Sequence, residues 1–95
     1  MKRVFPLTHA KIKPARLADS IKHDIKKYLK KERTRELEEG VPFWDFDVWC
    51  GVNEDSAFPI RLNEINQHID EAVEREAQSI FFRIMPKAGV PKAKQ

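Results

Sequence analysis

The sequence predicts an α+β domain with the element order βαββαβ, a ferredoxin-like two-layer sandwich with two helices on one face of a four-stranded antiparallel sheet. Three observations predict it. Leu17, Ile21, Ile25, Tyr28 and Leu29 recur at helical spacing and form one apolar stripe. From Phe43 to Cys50 the chain alternates strictly, with Trp44, Phe46, Val48 and Cys50 pointing one way and Phe43, Asp45, Asp47 and Trp49 the other. Finally, 95 residues with 41% hydrophobic content and nine aromatic side chains can fill one core but not two.

The elements follow in order. Arg3 to Leu7 is short and apolar, and reads as a strand. Pro14 suits the first turn of a helix, where its missing N–H costs nothing, and the stripe behind it carries that helix to Lys31–Arg35. Gly40 and Pro42 close the connection. The alternating run is the second strand, Gly51 to Ser56 a turn, and Phe58, Ile60 and Leu62 mark a third strand. Asn63 stands where a second helix would be capped, with Ile65, Ile69, Ala72 and Val73 as its apolar stripe. Ser79 to Met85 is the fourth strand, with Ile80, Phe82 and Ile84 on one face. Residues 1–85 are thus one α+β domain, and residues 86–95 are expected to form a basic, disordered tail. One tension stands inside this scheme. The ferredoxin-like order makes the first and third strands central, yet they hold Pro6 and Pro59, which lack a ladder donor. The elements are therefore more firmly specified than their order.

Charge is sorted along the chain. Residues 1–35 hold twelve Lys/Arg against three Asp/Glu, residues 36–77 hold two against twelve, and residues 78–95 hold four against none. Segment nets of +9, −10 and +4 hide behind an overall +3. Such sorting implies an anionic partner, an electrostatic fit between the segments, or both. On the first helix Arg16, Lys22, His23, Lys26, Lys27, Lys30 and Arg33 fall on an arc of about 140° opposite the apolar stripe, interrupted only by Asp19. Glu64, Asp70, Glu71 and Glu74 face outward on the second helix, so part of the sorting is complementary packing between neighbours. The end of the first helix, Lys2, Arg3, Lys87, Lys92 and Lys94 are expected to converge at one end of the molecule, blunted by Glu36, Glu38 and Glu39. The Glu54/Asp55 hairpin is expected at the other end.

The candidate sites follow. Lys22, Lys26, Lys27, Lys30 and Arg33 are candidate nucleic-acid contacts, through phosphates and without base readout. Against that stands the ordinary role of such lysines at a helix end, where they complement the dipole and keep a small domain soluble. Phe43, Trp49 and Phe81 are a candidate interaction surface on the open sheet face, suited to a homodimer or another protein. The third strand has nothing like the RNA-recognition consensus, and Asp45 and Asp47 would repel phosphate there. Asp45 and Asp47 are weak candidates for a Mg²⁺ site supporting phosphotransfer, since a third ligand and a base are missing; acids on a strand that blocks edge pairing explain them better. His9, His23 and His68 share no ligand spacing. The single cysteine, Cys50, reads as a small core residue and excludes both a disulfide framework and a multi-cysteine zinc site. Three scattered glycines provide no phosphate loop, and no cofactor motif is present. No apolar run suits a signal peptide or membrane span, so the reading is a soluble, cytoplasmic protein.

The segments Phe5-Pro6-Leu7-Thr8-His9, Ser20-Ile21-Lys22-His23 and Phe43-Trp44-Asp45-Phe46-Asp47 resemble an uncharacterised family of short bacterial proteins, a domain of unknown function. The resemblance spans most of the chain and is weakest beyond Met85. It implies a bacterial origin and carries over no catalytic residue. The sequence-based expectation is therefore a non-enzymatic binding module. Nucleic acid through the basic helix is the first reading, and an acidic protein or a second copy of the chain is the alternative.

Overall fold

A long amphipathic helix and an alternating strand dominate the fold, as their periodicity requires. The computed structural model describes residues 1–37 and 39–89. The elements are β1 (Lys2–Pro6), α1 (Pro14–Arg33), β2 (Trp44–Gly51), β3 (Phe58–Ile60), a single 3₁₀ turn (Leu62–Glu64), α2 (Ile65–Glu74) and β4 (Ser79–Ala88). All strand pairs are antiparallel, and the expected succession βαββαβ is present.

The strand order is not the ferredoxin-like one. The sheet runs β1-β4-β2-β3, so the second and fourth strands are central and the first and third are edges. The prolines give the physical reason. Leu7 N–H donates to the Gln78 carbonyl, so the bonded positions of β1 are the odd-numbered ones and Pro6 turns its nitrogen away from β4. Pro59 sits opposite Trp49 on the outermost strand. In a central strand each would cost a ladder bond; at an edge neither does.

Strand β4 continues through Ala88, three residues beyond the boundary the sequence suggests. Pro86 is accommodated by the same rule. Ile84 N–H donates to the Met1 carbonyl on the β1 side, and Pro86, two residues later, faces that side where β1 has ended. The remaining tail, 90–95, lies outside the described residues.

One sheet face holds the core. Phe5, Phe46, Val48, Cys50, Ile80, Phe82 and Ile84 meet Ala18, Ile21 and Ile25 of α1 and Ile65, Ile69 and Ala72 of α2. Phe82 is fully buried on the central strand and meets Phe5 edge-to-face at 6.3 Å between ring centroids. Asn63 does not cap α2, because the 3₁₀ turn intervenes. Instead the Glu64 carboxylate accepts the Arg61 N–H at 2.8 Å, while Glu64 N–H donates to the Arg61 carbonyl at 2.9 Å. The end of α1 is tied to β2 by the Trp44 indole, which donates to the Arg35 carbonyl at 3.0 Å.

The β2–β3 hairpin folds tightly at Gly51, where an added Cβ would lie 2.7 Å from the Ala57 Cα. Gly51→Ala should therefore destabilise the protein by about 1–3 kcal/mol in chemical denaturation. A neutral result would show that the hairpin is looser than described.

Candidate nucleic-acid interface

Periodicity places the cationic side chains of α1 opposite its buried stripe, and the fold then divides them. Lys22, nearest α2, donates to Asp70 at 2.6 Å. The Arg33 guanidinium lies over the Phe46 ring at 5.6 Å from its centroid. Lys26, Lys27 and Lys30 are exposed and form no ion pair among the described residues. The five candidate phosphate contacts are thus brought together on one helix, but only three remain wholly free.

Other basic groups are neutralised elsewhere. Lys87 donates to Asp47 at 2.6 Å. Lys2 pairs with Glu54, joining β1 to the hairpin. The expected separation of a basic end holding Lys2 from an acidic end holding Glu54 is therefore corrected: the two meet across β4. Of the other groups expected at the basic end, Glu38, Lys92 and Lys94 lie outside the described residues. Arg35 pairs with Glu32 at 3.3 Å and lies over the Trp44 ring at 5.4 Å.

The open sheet face shows why its candidate residues differ in availability. Phe81 alternates away from the core, yet it is only 2% exposed. It stands between Val4 and Gly51 in the register, and the Lys2–Glu54 pair spans β4 beside it. Phe81 is therefore not part of an accessible interaction surface. Trp49 sits opposite Arg83, whose guanidinium covers its ring at 4.9 Å. Phe43 is 43% exposed, and its ring rests on Gly89, where a Cβ would clash. The three aromatic residues do not form one exposed patch.

Asp45 and Asp47 also acquire specific partners. Asp45 accepts the Phe46 N–H at 2.8 Å and faces Lys87 in the register, while Asp47 holds the Lys87 ammonium. The hydrogen bond from Lys87 to Asp47 raises the lysine pKa, with the charges of Asp47 and Asp45 acting in the same direction. Among the described residues, no group of three or more His, Cys, Asp and Glu could hold a metal ion.

The histidines stay apart. His9 accepts the Lys11 N–H at 2.9 Å, closing a local turn, and His68 meets Phe58 edge-to-face at 5.7 Å. His23 reaches a groove of about 250 Å³ between the two helices, together with Lys22, Lys26, Asn63 and Asn66. Sequence reasoning did not connect Asn63 and Asn66 to α1, because that juxtaposition depends on how the helices cross. A second groove of about 250 Å³ lies beneath the hairpin, where Cys50, Phe58, His68, Glu71 and Arg75 meet. Burial pushes the Cys50 thiol up to about 11, with Arg75 lowering and Glu71 raising it less, so the groove presents a protonated thiol at neutral pH.

These features define a small α+β domain with a partly uncompensated basic helix and a self-paired open sheet face. The chain belongs to a family of unknown function, DUF6172, whose profile matches residues 1–95. Comparison with curated proteins and with solved structures gave no match. No helix among the described residues is long and apolar enough to cross a membrane.

The Cys50 environment predicts an alkaline weakness. Its folded pKa is above the unfolded value of 9.0, so its contribution is complete below pH 9 and is lost as pH rises through about 11. Tyr28, raised by burial and then by Glu32, and Lys87 act in the same direction. Urea unfolding at pH 8 to 11 should show stability falling, and Cys50→Ala should flatten the fall by on the order of 2 kcal/mol. An unchanged slope in the variant would show that the thiol is not desolvated.

Proposed function

We propose that the protein binds nucleic acid through the phosphate backbone, with α1 as the contact surface and no base-specific readout. One observation carries the reading. Asp70, Glu54 and Asp47 each pair with a lysine, yet Lys26, Lys27 and Lys30 remain exposed and unpaired among the described residues. Charge that served only internal fit would be matched by these acids as well. An exposed lysine row along one helix suits a regularly spaced row of phosphates, where affinity comes largely from counterion release. Lys22 and Arg33 flank the row, the first steadied by Asp70 and the second by Phe46.

Binding through a positioned helix requires no catalytic group, and the reading is of a binding module rather than an enzyme. Its expected setting is the cytoplasm, where nucleic acid is abundant. Self-association through the open sheet face is the second reading. Val4 and Met85 favour it, being 53% and 43% exposed on that face. It is the weaker one, because Phe81 is covered and Trp49 is occupied by Arg83.

Fluorescence anisotropy with labelled single-stranded and duplex oligonucleotides tests the first reading. Binding should weaken linearly in log Kd against log salt, and the Lys26/Lys27/Lys30→Glu variant should reduce that slope by about 0.9 per lysine on duplex DNA. No binding at low salt, with the variant and the parent equally folded by circular dichroism, would overturn it. Concentration-dependent mass in that same sample would favour self-association.

A further inference from the structure

The groove between α1 and the 3₁₀ turn that leads into α2 differs in kind from the rest of the basic face. Lys22, His23 and Lys26 form one wall, Asn63 and Asn66 the other, and Ile25, Leu62 and Ile65 the floor. We propose that this groove is a phosphate seat, fixing one phosphodiester of the anionic chain that lies along α1. The proposal rests on the reading of α1 as an anion-binding face and adds the place where an anion is held rather than merely attracted.

The chemistry fits an oxyanion. Lys26 supplies the unpaired charge, Lys22 one helical turn away adds N–H donors on an ammonium already paired with Asp70, and the Asn63 and Asn66 carboxamides bring N–H donors on a separate element. Lys22 is steadied at the groove by Asp70, so its position is set before a ligand arrives. Lys26 has no such partner among the described residues and is available to the anion. Among the acids of the two helices, Asp70 is paired with Lys22, the Glu64 carboxylate accepts the Arg61 N–H, and Asp19 stands one turn before Lys22 and His23 on α1. At about 250 Å³ the groove is smaller than the pockets of about 300–1,000 Å³ that engulf small molecules. It suits a phosphate held at the surface while the rest of the chain continues along α1. Lys27 lies farther round the helix and does not line it.

The test is an amide-detected NMR titration of the full chain with inorganic phosphate, with sodium chloride at matched ionic strength as the control. Phosphate should shift the side-chain amides of Asn63 and Asn66 saturably, and chloride should not. Lys26→Gln should weaken phosphate binding about tenfold, while Lys27→Gln leaves it within about twofold. Asn66→Ala, which keeps every charge, should also weaken it. Equal responses to phosphate and chloride, or equal effects of the two lysine variants, would overturn the seat. A parallel titration with a single-stranded oligonucleotide separates the two readings. Saturable phosphate binding at the groove without oligonucleotide binding would support the seat and overturn the nucleic-acid reading. Oligonucleotide binding that leaves Asn63 and Asn66 unshifted would overturn the seat and leave the wider reading standing.

Discussion

Strand β4 has to satisfy backbone partners on both sides, and much of the molecule follows from how it does so. It pairs with β1 from Ser79 to Arg83 and with β2 from Phe81 to Ala88. Prolines are excluded from positions that must donate, which leaves β1 and β3 for the edges and turns Pro86 toward the side β1 no longer occupies. With β4 central, Ile80, Phe82 and Ile84 become the middle of the core, and both helices pack over them. The same placement sends Phe81 to the other face, between Val4 and a glycine.

This order also decides which charges meet. Lys2 on one edge and Glu54 on the hairpin lie on either side of β4 and pair across it, while Asp47 on β2 reaches Lys87 on β4. Lys22 faces α2 and finds Asp70. Each pair is exposed and screened by solvent, so it contributes little to stability. Their larger consequence is distribution: the acids of the middle segment are drawn toward the sheet and α2, while the outward row on α1 keeps its charge. Segregation along the sequence is thus partly internal fit and partly an uncompensated surface.

The periodic parts of this architecture were legible in the residues. The alternation from Trp44 to Cys50 and the stripe from Leu17 to Leu29 identified the sheet face and helix face that meet in the core. Pro6 and Pro59 pointed to trouble with a ferredoxin-like order, although they could not name the replacement, since pairing partners distant in sequence leave no local trace. Phe81 was misplaced for a related reason. Alternation assigns it to the open face correctly, but its burial arises where strands distant in sequence set it between Val4 and Gly51. Asn63 looked like a helix cap because the 3₁₀ turn before α2 has the same local composition as a cap. Its part in the groove depends on the meeting of two helices.

Folding engages Lys2, Lys22 and Lys87 in ion pairs and leaves the outer row of α1 without one among the described residues. Detection of the lysine ammonium groups by NMR, with their hydrogen-exchange rates at low temperature, measures this directly. Slow exchange is expected at Lys22 and Lys87, each held by a carboxylate, and fast exchange at Lys26, Lys27 and Lys30. Equal exchange at all five would contradict it, because the row on α1 would then be no freer than the lysines that the fold engages.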